Sequence, residues 1–518
     1  MIKIPFTNQH VIASVQQKIE KGQHQAAIYE LEALTKLYPD AAKLHELLGT
    51  AYLKAGRAKM ADLALSQAIK SPAGNADLWI KYAENKKRLG EYKKALAGFK
   101  AALDIDPTQT GALEGVIDTL TVLGKEDNAR SYIKILDKLV ETTGQSSMPL
   151  AYFHLERGNK GHARQLFTRL LAKNKDDINA LRGLCVATDY APPTTVISKL
   201  VAVTESPKTS IEAKGIAFNS LGHISNRKGN IEAAFRCFNQ ANLYRRQQHS
   251  YVLQDDLKTL ENIRGLFVRY KAETKKLPRP TASEITPIFI IGMNRSGTSL
   301  LEQILDMHSD LQGLGELEAT RRWFDQNMSN GFSNPHAIAD LREQYLANLE
   351  NYDISSRFII DKMPSNFRHV GFLALAFPNA KFIAMQRSKQ ATIWSNYTRY
   401  YNNFAHSYTN DLDDLAAYYD ASQNLVDYWC SSLPSRLLKV SYEDLTHEPE
   451  AVLENVFHFL NFAFEIGVLD FYRNNRVVRT ASVLQVKEPI KKGTNTGWQH
   501  YAAFFPQNKT VTNSTPSR

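Results

Sequence analysis

The stretch PIFIIGMNRSGTSLLEQIL, residues 287–305, holds the residue types that grip an anion. A short apolar run enters a polar loop bounded by Gly292 and Gly297, and an amphipathic stretch follows, opening on Thr298 and Ser299. A buried strand, a glycine-bounded loop and a helix N-terminus in that order turn backbone N–H groups toward a phosphate. The loop is nearly that of nucleoside-triphosphate enzymes, but Thr298 stands where their lysine belongs. A kinase or ATPase needs that lysine to reach the β- and γ-phosphates beside Mg²⁺. Here the positive charge is Arg295, inside the loop. Such a cradle suits a nucleotide with a single 5′-phosphate, where an arginine fork holds the anion and the group transferred from it. The candidate contacts are Arg295, Ser296, Gly297, Thr298 and Ser299.

The elements that must position this loop follow from the apolar pattern. Strands are expected at 288–291, 357–360, 381–385 and 436–441, with amphipathic segments such as 298–307 and 451–461 between them. Continuous apolar strands spaced by helices predict a parallel sheet covered on both faces. Ligands then bind beyond the carboxyl ends of the strands. After the second run comes Lys362, which could neutralise charge on a leaving oxygen, although alone it reads as a surface lysine. After the third comes Arg387, with Ser395 and Arg399 at +8 and +12 on one predicted helix face. Together these could hold a second phosphate; the spacing alone equally describes a solvated helix. Glu316 lies 21 residues after Arg295, where a returning carboxylate could accept a proton from an attacking hydroxyl. Glu318 competes with it, and spacing alone favours a glutamate at a helix start.

Together these elements resemble the sulfotransferase superfamily, above all its tyrosylprotein branch, over about residues 285–500. The loop NRSGTS at 294–299 matches the family's 5′-phosphosulfate loop except that Asn294 replaces a proline. The resemblance implies 3′-phosphoadenosine-5′-phosphosulfate as co-substrate and no metal. It implies that Arg387, Ser395 and Arg399 form the 3′-phosphate site, and that Glu316 rather than Glu318 is the catalytic carboxylate. It assigns Lys362 and Arg295 to charge stabilisation, Tyr442 of YEDL to the nucleotide, and Ser482 of SVLQV to the reacting centre. One departure stands out: the family's C-terminal lysine before a tryptophan is here Gly497, ahead of Trp498. Lys487, Lys491 and Lys492 are candidate substitutes. A peptide tyrosine is the acceptor this branch suggests. Arg321 and Arg322, near Glu316, are candidate contacts for an acidic acceptor.

The first half of the chain reads differently. Gly22, Gly56, Gly90, Gly124 and Gly158 recur every 34 residues, each followed at +5 by an alanine: Ala27, Ala61, Ala95, Ala129 and Ala163. Gly229 and Ala234 repeat the pair after a degenerate unit carrying Pro192 and Pro193. That period identifies tetratricopeptide repeats, whose concave face can take a protein partner. Such an array fused to this domain is similar to bacterial sulfotransferases that carry one. The expected organisation is an N-terminal all-α tetratricopeptide-repeat solenoid over 8–265 and a linker over 271–287. An α/β P-loop-like sulfotransferase domain with a parallel sheet over 288–505 and a polar tail over 506–518 complete it.

Composition bounds the alternatives. The 518 residues, 43% hydrophobic and 22% charged, suit a multidomain globular chain. No apolar run approaches a membrane span, and the N-terminus lacks the apolar core of a signal peptide. Cys185, Cys237 and Cys430 are too scattered for a disulfide framework or a metal site, so a cytoplasmic protein with free thiols is expected. The net charge of +10 comes with no nucleic-acid-binding motif, so an anionic nucleotide and an acidic acceptor explain it as well as nucleic acid does. A non-catalytic repeat scaffold with a retained nucleotide pocket is the alternative function, supported by Gly497. A kinase is weaker because of Thr298.

Overall fold

The 34-residue period becomes successive helical pairs, from Gln9–Glu20 and His24–Leu37 through to Ile211–Arg227 and Ile231–Gln248, followed by the long helix Leu253–Glu273. This computed structural model describes residues 9–505 except 72–74, 145, 249, 276–283, 330, 402–403, 475–487 and 491–493. The six spaced glycines all have φ between +70° and +80°, the left-handed region that ends the first helix of a pair. The six alanines five positions on are fully buried. In the degenerate unit, Pro193 stands at the N-cap of the helix Thr194–Glu205, where a missing N–H costs nothing.

The chain divides into two compact units, residues 1–150 with 347–353, and the remainder. The second unit therefore combines the helices from Ala151 onward with the sheet.

That sheet has five parallel strands: β1 Thr286–Gly292, β2 Leu311–Gly313, β3 Phe358–Asp361, β4 Lys381–Gln386 and β5 Leu437–Ser441, in the order β2-β3-β1-β4-β5. Every residue of β1 is buried, as the apolar run requires of a central strand. Four strands lie where the apolar runs place them; the three-residue β2 is an addition. From β1 the chain heads toward β2 and β3, and from β4 toward β5. The connections thus part between β1 and β4, opening a crevice at their carboxyl ends. Gly292 pairs in register with Met385, so both strands end at one level.

The expected linker is narrower than its composition suggested. Helix continues to Glu273 and β1 begins at Thr286. Residues 276–283 and the expected tail 506–518 lie outside the described residues. No described helix is long and apolar enough to cross a membrane, and all three cysteines are free.

In the repeats, Gly115 of the helix Thr110–Val122 crosses the preceding helix so closely that a Cβ would lie 2.3 Å from the Phe99 ring. Helix propensity alone makes Gly115→Ala stabilising by about 1 kcal/mol. Overpacking of about 1–3 kcal/mol opposes it, and the crossing should win. A lower urea midpoint is expected; a higher one would show slack between the helices.

Candidate functional site

The cradle is built by β1 and the helix Thr298–Leu305. Gly292 has no room for a side chain: a Cβ there would sit 2.6 Å from the Met385 carbonyl oxygen on β4. Arg295 adopts φ +69°, and Ser296, almost fully buried, ties the loop by donating to the Met293 carbonyl at 2.7 Å. Gly297 occupies the N-cap at φ +101°, so no side chain caps the helix. The first-turn N–H groups beside buried Thr298 and Ser299 are the donors that such a terminus offers an anion. Tyr442, which opens the helix Tyr442–His447 after β5, fills the other side. A Cβ on Gly297 would meet its ring at 2.4 Å.

The β4 side closes onto the same loop. Arg387 Nη1 donates to the Arg295 carbonyl at 2.9 Å, and Arg295 Nε donates to Ser395 Oγ at 2.9 Å. The Arg387 guanidinium also lies 4.9 Å from the centre of the Tyr442 ring. The crevice thus brings Arg295, Ser395, Arg387 and Tyr442 together. The predicted shared helix face is corrected in one respect. The helix Lys389–Tyr397 stops before Arg399, which lies in the turn that follows because Thr398 and Arg399 bond back to the Trp394 and Asn396 carbonyls. The charges of Arg399 and Arg295 both act on the buried Tyr401 hydroxyl.

The electrostatics are those of crowded cations. Burial pulls the Arg295 guanidinium below its ordinary range, and the Arg387 charge adds to the effect. Burial lowers Arg387. Arg399 is largely exposed as a residue, yet desolvation of its charged end, followed by the Arg295 charge, lowers it too. An anion placed among them would relieve this strain.

On the other side of β1, Lys362 follows β3 and is fully buried, which corrects the surface reading of that lysine. Its Nζ donates to Glu316 Oε1 at 2.5 Å and lies 3.8 Å from Glu302 Oε2. The short strand β2 creates this contact. Once β2 pairs with β3, Lys362 N donates to the Gly315 carbonyl at 2.9 Å, so Glu316 arrives beside the lysine. Glu302 holds the same turn by accepting from Gly315 N at 2.8 Å. Glu318, the rival carboxylate, is paired instead with Arg321, whose Nε donates to it at 3.0 Å. Arg321 is thereby partly neutralised as a contact for an acidic acceptor. Burial raises the Tyr401 hydroxyl, on which the charges of Arg295, Arg399 and Glu316 also act, and it donates to Asn396 Oδ1 at 2.9 Å.

Ser482, Lys487, Lys491 and Lys492 lie outside the described residues. Sequence reasoning missed Asn495, whose Oδ1 accepts from Arg387 Nε at 2.6 Å, and Glu443, which accepts from Asn495 Nδ2 and from Ser388 N at 3.0 Å. A lone asparagine carries no motif. The only signal was its place two residues before Gly497, where open space surrounds a would-be Cβ.

The segment that builds this site, residues 287–465, matches the model of the sulfotransferase family. It is a sulfotransferase-family domain. An uncharacterized protein of Aquifex aeolicus (strain VF5) is 28% identical over 337 residues, 61% of this chain and 44% of that protein. A putative protein-tyrosine sulfotransferase of Caenorhabditis briggsae is 24% identical over 228 residues, 41% of this chain and 80% of that protein. Among solved structures, the sulfotransferase domain from the Synechococcus PCC 7002 olefin synthase is 22% identical, covering 46% of this chain and 93% of its own, at a TM-score of 0.33. The chain spans less than half the length of the Aquifex relative.

Within the sulfotransferase domain, Asp361 next to Lys362 is fully buried, accepts from the Tyr345 hydroxyl at 3.2 Å, and leaves Oδ1 without a hydrogen bond. Burial pushes its carboxyl up to about 8. Between about pH 4 and 8 the folded chain therefore holds a proton that the unfolded chain releases, so this group's contribution to stability falls as pH rises. Asp361→Asn should flatten that fall. Urea midpoints of both proteins across this window test it, and parallel curves would place the proton elsewhere.

Proposed function

We propose that this chain transfers a sulfuryl group from 3′-phosphoadenosine-5′-phosphosulfate to an acceptor hydroxyl. The observation that carries the reading is the joining of two anion-binding halves. Arg295 in the cradle is bonded to Ser395, and Arg387 is bonded to the Arg295 backbone. A nucleotide with phosphates at both 5′ and 3′ positions needs two such subsites one ribose apart. The cradle at 295–299 would take the 5′-phosphate, and Arg387, Ser395 and Arg399 the 3′-phosphate, with Tyr442 packed between Gly297 and Arg387.

The bound nucleotide supplies the activated sulfuryl group; the chain supplies position and charge. Glu316 accepts the proton of the attacking hydroxyl as the new S–O bond forms and the bond to the phosphate oxygen breaks. Lys362 and Arg295 stabilise the charge that collects on the leaving oxygen. By family resemblance Ser482, outside the described residues, is assigned to the same reacting centre. Lys362, whose Nζ donates to Glu316 Oε1 at 2.5 Å, also fixes where that carboxylate stands. Cationic side chains supply the electrostatics for which kinases use Mg²⁺.

For the acceptor, a protein or peptide tyrosine is the reading supported by similarity to the putative protein-tyrosine sulfotransferase of Caenorhabditis briggsae. The net charge of +10 favours an acidic sequence around that tyrosine. The repeats offer a surface on which the acceptor protein could dock. Free thiols and the lack of a disulfide fit a reducing, cytoplasmic setting.

Transfer of ³⁵S from the labelled nucleotide to a panel of peptides, phenols and sugars tests the activity. Glu316→Gln should lower turnover by about 10²–10⁴-fold. Arg295→Ala should lower it by about 10²–10³-fold and weaken nucleotide binding as well. Unchanged turnover in both variants would remove the mechanism. Nucleotide binding with no transfer to any acceptor would favour a scaffold.

A further inference from the structure

The turn that carries Arg399 is held by repeat helices. The helix Lys389–Tyr397 ends with carbonyl groups that have no partner further along it, the usual condition of a C-terminus. No glycine cap follows. Instead, Asn242 Nδ2 donates to the Tyr397 carbonyl at 3.0 Å and Asn219 Nδ2 to the Thr398 carbonyl at 2.9 Å. Arg245 Nη2 donates to the Tyr401 carbonyl, and its guanidinium stacks 5.0 Å from the centre of the Tyr400 ring. All three donors are over nine-tenths buried. They come from Ile211–Arg227 and Ile231–Gln248, one helical pair inside the same compact unit as the sheet.

Three buried polar side chains of one repeat pair supply donors to the carbonyls of 397, 398 and 401. An apolar surface would have left those carbonyls unsatisfied, so the turn holds its shape only against these donors. The turn is fixed at both ends. Arg295 bonds Ser395 on the sheet side, and the repeat donors bond 397, 398 and 401 on the other. Arg399 lies between these anchors, with no hydrogen bond or ion pair from its own side chain among the described residues.

We infer that this repeat pair is a positioning element of the nucleotide site: Asn219, Asn242 and Arg245 fix the 397–401 turn so that Arg399 faces the 3′-phosphate. The inference rests on the proposed nucleotide and adds a role for the repeats that partner binding does not supply. A preorganised guanidinium binds its anion without first losing the freedom of a loose turn.

The experiment is calorimetric titration of the full chain with adenosine 3′,5′-bisphosphate and, separately, with adenosine 5′-monophosphate. Asn242→Ala combined with Arg245→Met should cost about tenfold in affinity for the bisphosphate, the scale of one charge-assisted hydrogen bond, and leave the monophosphate within about twofold. Arg399→Ala should show the same pattern. Asn219→Ala, which removes one donor, should lower the same ratio less and keeps the test available if the double variant folds poorly. An unchanged ratio, or an equal loss for both nucleotides, in variants of a wild type that prefers the bisphosphate would overturn the positioning role alone. A wild type with no such preference would overturn the nucleotide assignment, and the inference with it.

Discussion

Like charges held together at the ends of neighbouring strands are the constraint on which the rest depends. Arg295 and Arg387 meet where β1 and β4 stop, one donating to the backbone of the other, and burial and mutual repulsion lower the Arg295 guanidinium. Such a group is unfavourable in itself and becomes favourable once an anion shares the space. Several local features exist to permit it. Gly292 lets the loop pass against the Met385 carbonyl, Gly297 lets Tyr442 approach, and Asn495 engages the Arg387 Nε. Each would be an oddity in a sheet built for packing alone.

The second half of the site obeys the opposite rule. Lys362 is a fully buried cation, and it is tolerated because Glu316 and Glu302 stand on it. At the ends of β1 and β4 cations crowd one another, whereas Lys362 lies against carboxylates. The fold keeps the two apart by using different strand ends, β1 and β4 for the first and β3 for the second. Tyr401 is close enough to feel charges of both.

Much of this was legible in the sequence because strong local signals coincide with function. The apolar runs gave four of five strands, and the spaced glycines carry the left-handed φ that the repeat pattern needs. The loop 294–299 announced itself through its glycines and its arginine. What escaped had no local signal. β2 is three residues long, too short for periodicity to register, yet it delivers Glu316 to Lys362. The burial of Lys362 depends on carboxylates 60 and 46 residues away in sequence. Asn219, Asn242 and Arg245 look like ordinary polar positions on repeat helices, and only tertiary contact shows them capping a helix some 155–179 residues later. Position 399 fell outside its helix because the chain turns where those donors wait.

The most direct test of the central claim is a crystal structure of the chain soaked with adenosine 3′,5′-bisphosphate. The account predicts one phosphate on the backbone N–H groups at 297–299 beside Arg295 and the other between Arg387, Ser395 and Arg399. A nucleotide bound with its 3′-phosphate directed away from Arg387 and Arg399, or bound outside the β1–β4 crevice, would contradict it.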